Sequence, residues 1–173
     1  MTIEDRVIVF VDVHNFSLAL EGLLESSGFL QAMYERMGEL IVGHRGEIIK
    51  YMGDSILSLF PAGFEVEAVA CGLEMRRAFA DMMRQSGLPG EIELEVGIGA
   101  GQVVVGECGH RTLRQRDVFG GEVNRTVRIG HYRGVAITEQ VYERVKGSYQ
   151  TAQQPDVETK RPGKPLKVWA IKE

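Results

Sequence analysis

Two cysteines, Cys71 and Cys108, stand in a chain of 173 residues. They are far apart and in no metal-ligand spacing, which excludes a disulfide framework and points to a reducing, cytoplasmic setting. A basic excess is missing as well: 20 Lys and Arg against 24 Asp and Glu leave a net charge of -4. No stripe of cations is present to follow a phosphate backbone, so nucleic acid is not expected as a partner. Long apolar runs are lacking too. The first run, RVIVFVDV at residues 6–13, is broken by Asp12 and falls short of a signal peptide or a membrane span, so no membrane association is expected. There is no internal repeat and no low-complexity tract.

What is present suffices for one compact core. With 44% hydrophobic residues, residues 1–173 are expected to form a single domain that buries most of its apolar surface. The β-branched run 6–13 predicts a strand buried on both faces. Helical spacing predicts two helices, 16–24 and 29–42, with Gly28 and Gly43 as breaks and Met33, Met37, Leu40 and Ile41 on one face. EIIKYMGDSILSLF, residues 47–60, reads as a hairpin turning at Gly53-Asp54. The longest helix follows over 65–85, with Val66, Val69, Ala70, Leu73, Ala80 and Met83 as its apolar face, before Gly87-Leu88-Pro89-Gly90 stops it. IELEVGIGAGQVVVGECG, 92–109, predicts a long strand bent or bulged at Gly97, Gly99 and Gly101. A charged loop (110–116), a strand at 117–119, a helix over 122–131, a strand GVAIT, a helix EQVYERV and a closing strand KPLKVWAI complete the chain. Hairpins mixed with helices imply an α+β sheet covered by helices, not strict βαβ alternation.

Some charged residues fall where burial is expected. Asp12 ends the first strand, where a carboxylate is costly unless it is paired, hydrogen-bonded or bound to a cation. The turn after it, Val13-His14-Asn15-Phe16-Ser17, offers free backbone N–H groups and a helix N-terminus to an anion such as a phosphate. Asp54 sits in the hairpin turn, where Gly-Asp is common for conformational reasons alone. Two carboxylates at strand ends are also what one or two hard divalent ions require. Lys50 on the first hairpin strand has the ordinary reading of a surface lysine, and Asp117 opens an apolar run. Asn124 and Arg128 share one helix face at i,i+4, and Val123 and Val127 another. The glycines of GIGAGQVVVG do not lie between a strand and a helix of a βαβ unit, so they are no dinucleotide or P-loop fingerprint.

In this order FVDVHNFS, GEIIKYMGDSILSLF, VGIGAGQVVVGECG, DVFGGEVNRTVR and TKRPGKPLKVWAI resemble the catalytic domain of class III adenylyl and guanylyl cyclases, over nearly the whole chain. The resemblance implies a ferredoxin-like antiparallel sheet core covered by helices and conversion of ATP to 3',5'-cyclic AMP and pyrophosphate. It implies that Asp12 and Asp54, with the backbone carbonyl of Val13, hold two divalent metal ions, Mg2+ or Mn2+, and that Asn15 and Phe16 lie at the substrate. Lys50 and Asp117 match the adenine-reading pair, Asn124 the ribose-orienting asparagine, Arg128 the arginine that stabilises charge on the α-phosphate, and Lys160 a lysine on the terminal phosphates. Members place the metal aspartates of one subunit opposite the base-reading and transition-state residues of the other, so a chain with both sets implies a homodimer with two interfacial sites. Glu95, Gly121 and Asn15 depart from the usual pattern, which carries a basic residue, an Asp or Asn, and a glycine there. Asn is the residue that best absorbs the last of these changes, because it tolerates left-handed backbone. Two alternatives stay open: a nucleotide-binding or dimerisation module of the same fold that has lost turnover, and a cyclase for another base.

Overall fold

The computed structural model describes residues 1–16, 23–87, 92–158 and 165–173, with the side chains of residues 23–27 left aside. Eight strands and four helices follow in the order β1 (Thr2–His14), α1 (Leu23–Gly43), β2 (Glu47–Met52), β3 (Ser55–Pro61), α2 (Glu65–Ser86), β4 (Glu93–His110), β5 (Leu113–Phe119), α3 (Gly121–Ile129), β6 (Val135–Thr138), α4 (Glu139–Val145), β7 (Thr151–Gln153) and β8 (Val168–Ile171). The sheet runs β2-β3-β1-β4-β6-β8-β7, with β5 paired to β4 off this path. The first six elements, with spatial order β2-β3-β1-β4, form the ferredoxin-like arrangement expected from the sequence. All pairings are antiparallel except β4 with β6.

Alternation along β1 sorts the two faces. Val7, Val9, Val11 and Val13 join the core beneath α1, α2 and α4, while Ile8 and Phe10 join Leu57, Leu59, Val103, Val105, Val118 and Val123 on the other face. The same period puts Asp12 on that second face, at the end of β1 nearest the β2–β3 turn. This strand is apolar on both faces because both faces are covered.

Several expectations change. Residues 29–42 do form the predicted helix with Met33, Met37, Leu40 and Ile41 buried, but it begins at Leu23 and runs through Gly28. Gly28 is exposed with open space around it, so it costs the helix about 1 kcal/mol relative to alanine without ending it. Most of the predicted helix 16–24 lies outside the described residues. In α2 the buried face is Ala68, Val69, Cys71, Gly72, Met75 and Phe79; Val66 is among the exposed large hydrophobics. α2 ends at Gly87, whose left-handed φ of 67° caps the helix where the sequence predicts a stop. The charged segment 110–116 is no loop but the turn and first part of β5, hairpinned onto β4. β7 is short and carries no apolar alternation that would announce it.

The glycines of β4 do not bulge it: its pairing with β1 runs unbroken from Thr2↔Val105 to His14↔Glu93. They make a seat for α3. A Cβ on Gly97 would stand 2.5 Å from Thr126 O and 2.7 Å from Gly130, and one on Gly101 would meet Glu122 at 2.7 Å. With nothing but hydrogen there, the helix lies directly on the strand. Gly97→Ala is therefore expected to lift α3 and cost about 1–3 kcal/mol, seen as a lowered denaturant midpoint; an unchanged midpoint would remove this account of the glycines.

Candidate functional site

The β2–β3 hairpin is tight: Met52 pairs with Ser55, and Gly53 takes a left-handed φ of 64°, which leaves Asp54 at the tip. Tyr34 of α1 donates its hydroxyl to Gly53 O and stacks on Tyr51 with ring centroids 4.3 Å apart. The turn carrying Asp54 is thus tied to a helix that is itself anchored in the core. β1 pairs with β3 up to Val11↔Ile56, so the next residues on each strand, Asp12 and Ser55, stand side by side.

Asp12 is surrounded by donors and by other acids. Ser55 Oγ donates to Asp12 Oδ1 at 2.5 Å, and His131 Nδ1 lies 3.0 Å from Oδ2. Glu95, on β4 opposite Asp12 in the pairing, is 2% exposed. His14 Nδ1 approaches Glu95 Oε1 at 3.0 Å, yet without the alignment of a hydrogen bond, so that buried oxygen is left without a hydrogen-bond partner. Burial pushes the Glu95 carboxyl above the usual range, against the pull of His14 and with the neighbouring charge of Asp12 adding to it. Burial likewise raises Asp54, aided by the charge of Asp12 and opposed by a backbone hydrogen bond and His131.

This donor set fits a divalent cation. One carboxylate oxygen of Asp12, one of Glu95 and one ring nitrogen of His131 lie within 4.8 Å of one another, ligand types that divalent cations accept. Asp12 and Asp54 are the acids the sequence singles out for this, together with the carbonyl of Val13, whose side chain is buried in the helix-side core. Beyond it Asn15 adopts φ 59°, the left-handed conformation expected of it, and Phe16 is buried. Ser17 lies outside the described residues, as does Lys160.

Lys50 and Asp117, distant in sequence, form an ion pair. Nζ is 2.8 Å from Oδ1 and 2.9 Å from Oδ2. Lys50 comes from β2 and Asp117 from β5, and Arg116–Glu47 at 2.5 Å pins the same two strands beside them. Asp117 is buried and Oδ1 also accepts from the Val118 N–H at 2.8 Å. Asn124 and Arg128 lie exposed on the outer face of α3; Arg128 Nη1 donates to Glu158 O at 2.8 Å. The structure thus pairs Lys50 with Asp117 and leaves Asn124 and Arg128 exposed.

The sequence profile of the family described as "Adenylate and Guanylate cyclase catalytic domain" matches residues 2–173. The chain belongs to that family. Among curated relatives, "Adenylate cyclase 1" of Rhizobium meliloti (strain 1021) is 30% identical over 136 residues, covering 73% of this chain and 20% of that protein. "Adenylate cyclase" of Mycobacterium tuberculosis (strain ATCC 25618 / H37Rv) is 27% identical, covering 97% of this chain and 39% of that protein. The cyclase domain here thus spans well under half the length of these relatives. Among solved structures, the adenylyl cyclase CyaB from P. aeruginosa superposes with a TM-score of 0.91 at 21% identity, covering 100% of this chain and 97% of that one. The guanylyl cyclase Cya2 does so with 0.89 at 29% identity, covering 98% and 92%. The cyclase fold is shared throughout, whereas names of both base specificities occur. No helix among the described residues is long and apolar enough to cross a membrane.

Sequence reasoning missed His131, Ser55 and His14. His131 reads as the last residue of a helix, yet α3 ends at Ile129, and Gly130 closes it with hydrogen bonds to Thr126 O and Val127 O. The glycine stop was the available signal. The raised Asp54 carboxyl has a consequence for stability. Above its folded pKa the group is charged in a half-buried place beside Asp12; below it the charge is gone. Metal-free Asp54→Asn protein is expected to melt a few degrees above wild type at pH 7, with the gain shrinking as pH falls. Equal melting at both ends of that range would contradict the crowded-carboxylate account.

Proposed function

We propose that the domain is an adenylyl cyclase, working as a symmetric homodimer on ATP with two divalent ions, Mg2+ or Mn2+, at each site. The observation that carries the choice of base is the Lys50–Asp117 pair. A lysine donor suits N1 of adenine and a carboxylate accepts from its exocyclic amino group, whereas guanine presents a carbonyl and an N–H in those places. Their mutual ion pair keeps both groups aligned before the base arrives, and the base inserts its edge between them.

In the reaction the ribose 3'-oxygen attacks the α-phosphorus, a new P–O bond forms, the bond to the bridging oxygen breaks in line, and pyrophosphate departs while the 3'-hydroxyl proton passes to solvent. Divalent ions supply charge neutralisation on the triphosphate and a lowered pKa for the 3'-hydroxyl. Asp12 and Asp54, with the Val13 carbonyl, are the residues that would hold them. The turn at Asn15 and Phe16 presents backbone to the phosphates. Asn124 orients the ribose, Arg128 binds charge that grows at the α-phosphate, and Lys160 neutralises the terminal phosphates. Asn124 and Arg128 face outward on α3, which supports a site completed between two copies.

With purified protein, ATP and Mn2+, Asp54→Ala should abolish cyclic AMP formation while leaving the dimer intact; an active Asp54→Ala enzyme would end the metal-holding role. Arg128→Ala should lower kcat by about 100- to 1000-fold with little change in KM. Mixing these two inactive variants should restore about a quarter of wild-type activity, because a mixed dimer of the two carries one undamaged site; no recovery would argue against shared sites. The guanylyl cyclase Cya2 at 29% identity favours a second reading, a cyclase for guanine. Lys50→Glu with Asp117→Cys should turn the preference from ATP to GTP, and a wild type already preferring GTP would decide for that second reading.

A further inference from the structure

β5 is paired to β4 alone, and its residues 113–116 are exposed. Among the described residues two ion pairs join it to β2 on its other side, Lys50–Asp117 and Glu47–Arg116. In the second, Arg116 Nε donates to Glu47 Oε1 at 2.5 Å and Nη2 to Oε2 at 3.5 Å, a fork that fixes orientation as well as distance. β2 is shaped to present both of its members. Glu47 pairs with Leu59, Ile48 with Ser58 and Lys50 with Leu57, so Ile49 is an extra residue bulged out of the ladder. In a regular strand, residues three apart point to opposite faces. The bulge turns the later part of β2 over, and Glu47 and Lys50 both stand opposite leucines of the second core face, the face on which Val118 of β5 packs. Ile49 packs against the same cluster. One inserted residue thus aims a carboxylate and an ammonium at the same neighbouring strand.

We propose that Glu47 and Arg116 are positioning residues for base choice: their ion pair holds β5 against β2 while the edge of the base occupies the gap between Lys50 and Asp117. This role rests on the adenylyl cyclase reading. A base that enters between Lys50 and Asp117 opens their ion pair, and that pair then no longer joins the two strands. Glu47–Arg116 is the one that remains. Two hydrogen bonds supplied by two separate elements discriminate between bases only while those elements keep their spacing, and a displacement of about 1 Å is enough to weaken them. The side chains of Arg116 and Glu47 are 46% and 40% exposed, and a surface ion pair adds little to global stability. Its loss therefore shows in discrimination and not as unfolding. Glu47 and Arg116 act through Lys50 and Asp117, without touching the nucleotide themselves.

Charge reversal in the full chain tests this. Arg116→Glu and Glu47→Arg should each lower the ATP-over-GTP ratio of kcat/KM about five- to tenfold, chiefly by raising KM for ATP while kcat is nearly kept. The double reversal, Glu47→Arg with Arg116→Glu, should restore most of the ratio. Without nucleotide, amide hydrogen exchange over residues 113–119 should be faster in each single variant and return toward wild type in the double. Exchange or an ATP-over-GTP ratio left at the wild-type value by both single reversals overturns the positioning role, and so does a double reversal no better than the singles. A wild type that prefers GTP, or that cyclises neither nucleotide, is a separate failure: it removes the adenylyl cyclase reading, and this role with it, whatever the variants show.

Discussion

Burying a carboxylate at the end of a strand that is covered on both faces would by itself destabilise this fold, and the elements around Asp12 are arranged about that fact. β3 supplies the Ser55 hydroxyl and the segment after α3 supplies the His131 ring. The hairpin tip and β4 bring two further acids, Asp54 and Glu95, whose carboxyls are pushed up by burial and by Asp12 itself. Hydrogen bonds offset part of the cost of desolvation, but they cannot remove the repulsion among three carboxylates. Negative charge gathered in this way is poor for stability and suited to cations, a trade expected at a functional site and not in a core.

Placing those groups depends on close approach of backbone. Gly97, Gly99 and Gly130 let α3 rest on β4 and against Phe10 with no side chain between. A helix held a few ångströms further out by methyl groups would carry His131 away from Asp12. The same contact fixes which side of α3 faces out. Val123, Thr126 and Ile129 are buried, so Asn124 and Arg128, one residue on or before them in the helical period, face away from the sheet. The segment after this short helix brings His131 to Asp12 on β1, and the helix itself leaves Asn124 and Arg128 exposed.

How much of this was legible in the sequence follows from the range of each signal. Local signals worked: β-branched runs marked β1, the Gly53-Asp54 pair marked the hairpin, Gly87 marked the end of α2, and i,i+4 spacing put Asn124 with Arg128. Signals confounded by a single residue type failed in both directions. Gly28 looked like a break and is only an exposed glycine in a helix stabilised elsewhere along its length by Met33, Met37 and Ile41. The β4 glycines looked like bulges and are a packing seat, which no window on one strand can reveal. Arg111 to Arg116 looked like a loop because its residues are all exposed, but backbone pairing to β4 needs no apolar side chain. The Asp12–Asp54 grouping came first from two carboxylates at strand ends and then from resemblance to the cyclase family, whereas Lys50–Asp117, which joins residues on different strands, came from that resemblance alone. His131 and Glu95 departed from that resemblance or lay outside it, and so became visible only as neighbours in space.

The Lys50–Asp117 pair and the acid cluster also differ in how they are supported. Lys50 and Asp117 compensate one another: the positive and negative charges pair at 2.8 Å, Arg116 and Glu47 pair beside them, and the Val118 N–H completes Asp117. That ion pair is complete without any ligand. Asp12, Asp54 and Glu95 carry more negative charge than their two histidines and one hydroxyl balance. A cluster of that kind is suited to a cation. Arg128, exposed on α3, donates to a neutral acceptor, the Glu158 carbonyl. In the proposed dimer a cation at the acids and a triphosphate at the arginine would arrive together as one metal-bound nucleotide.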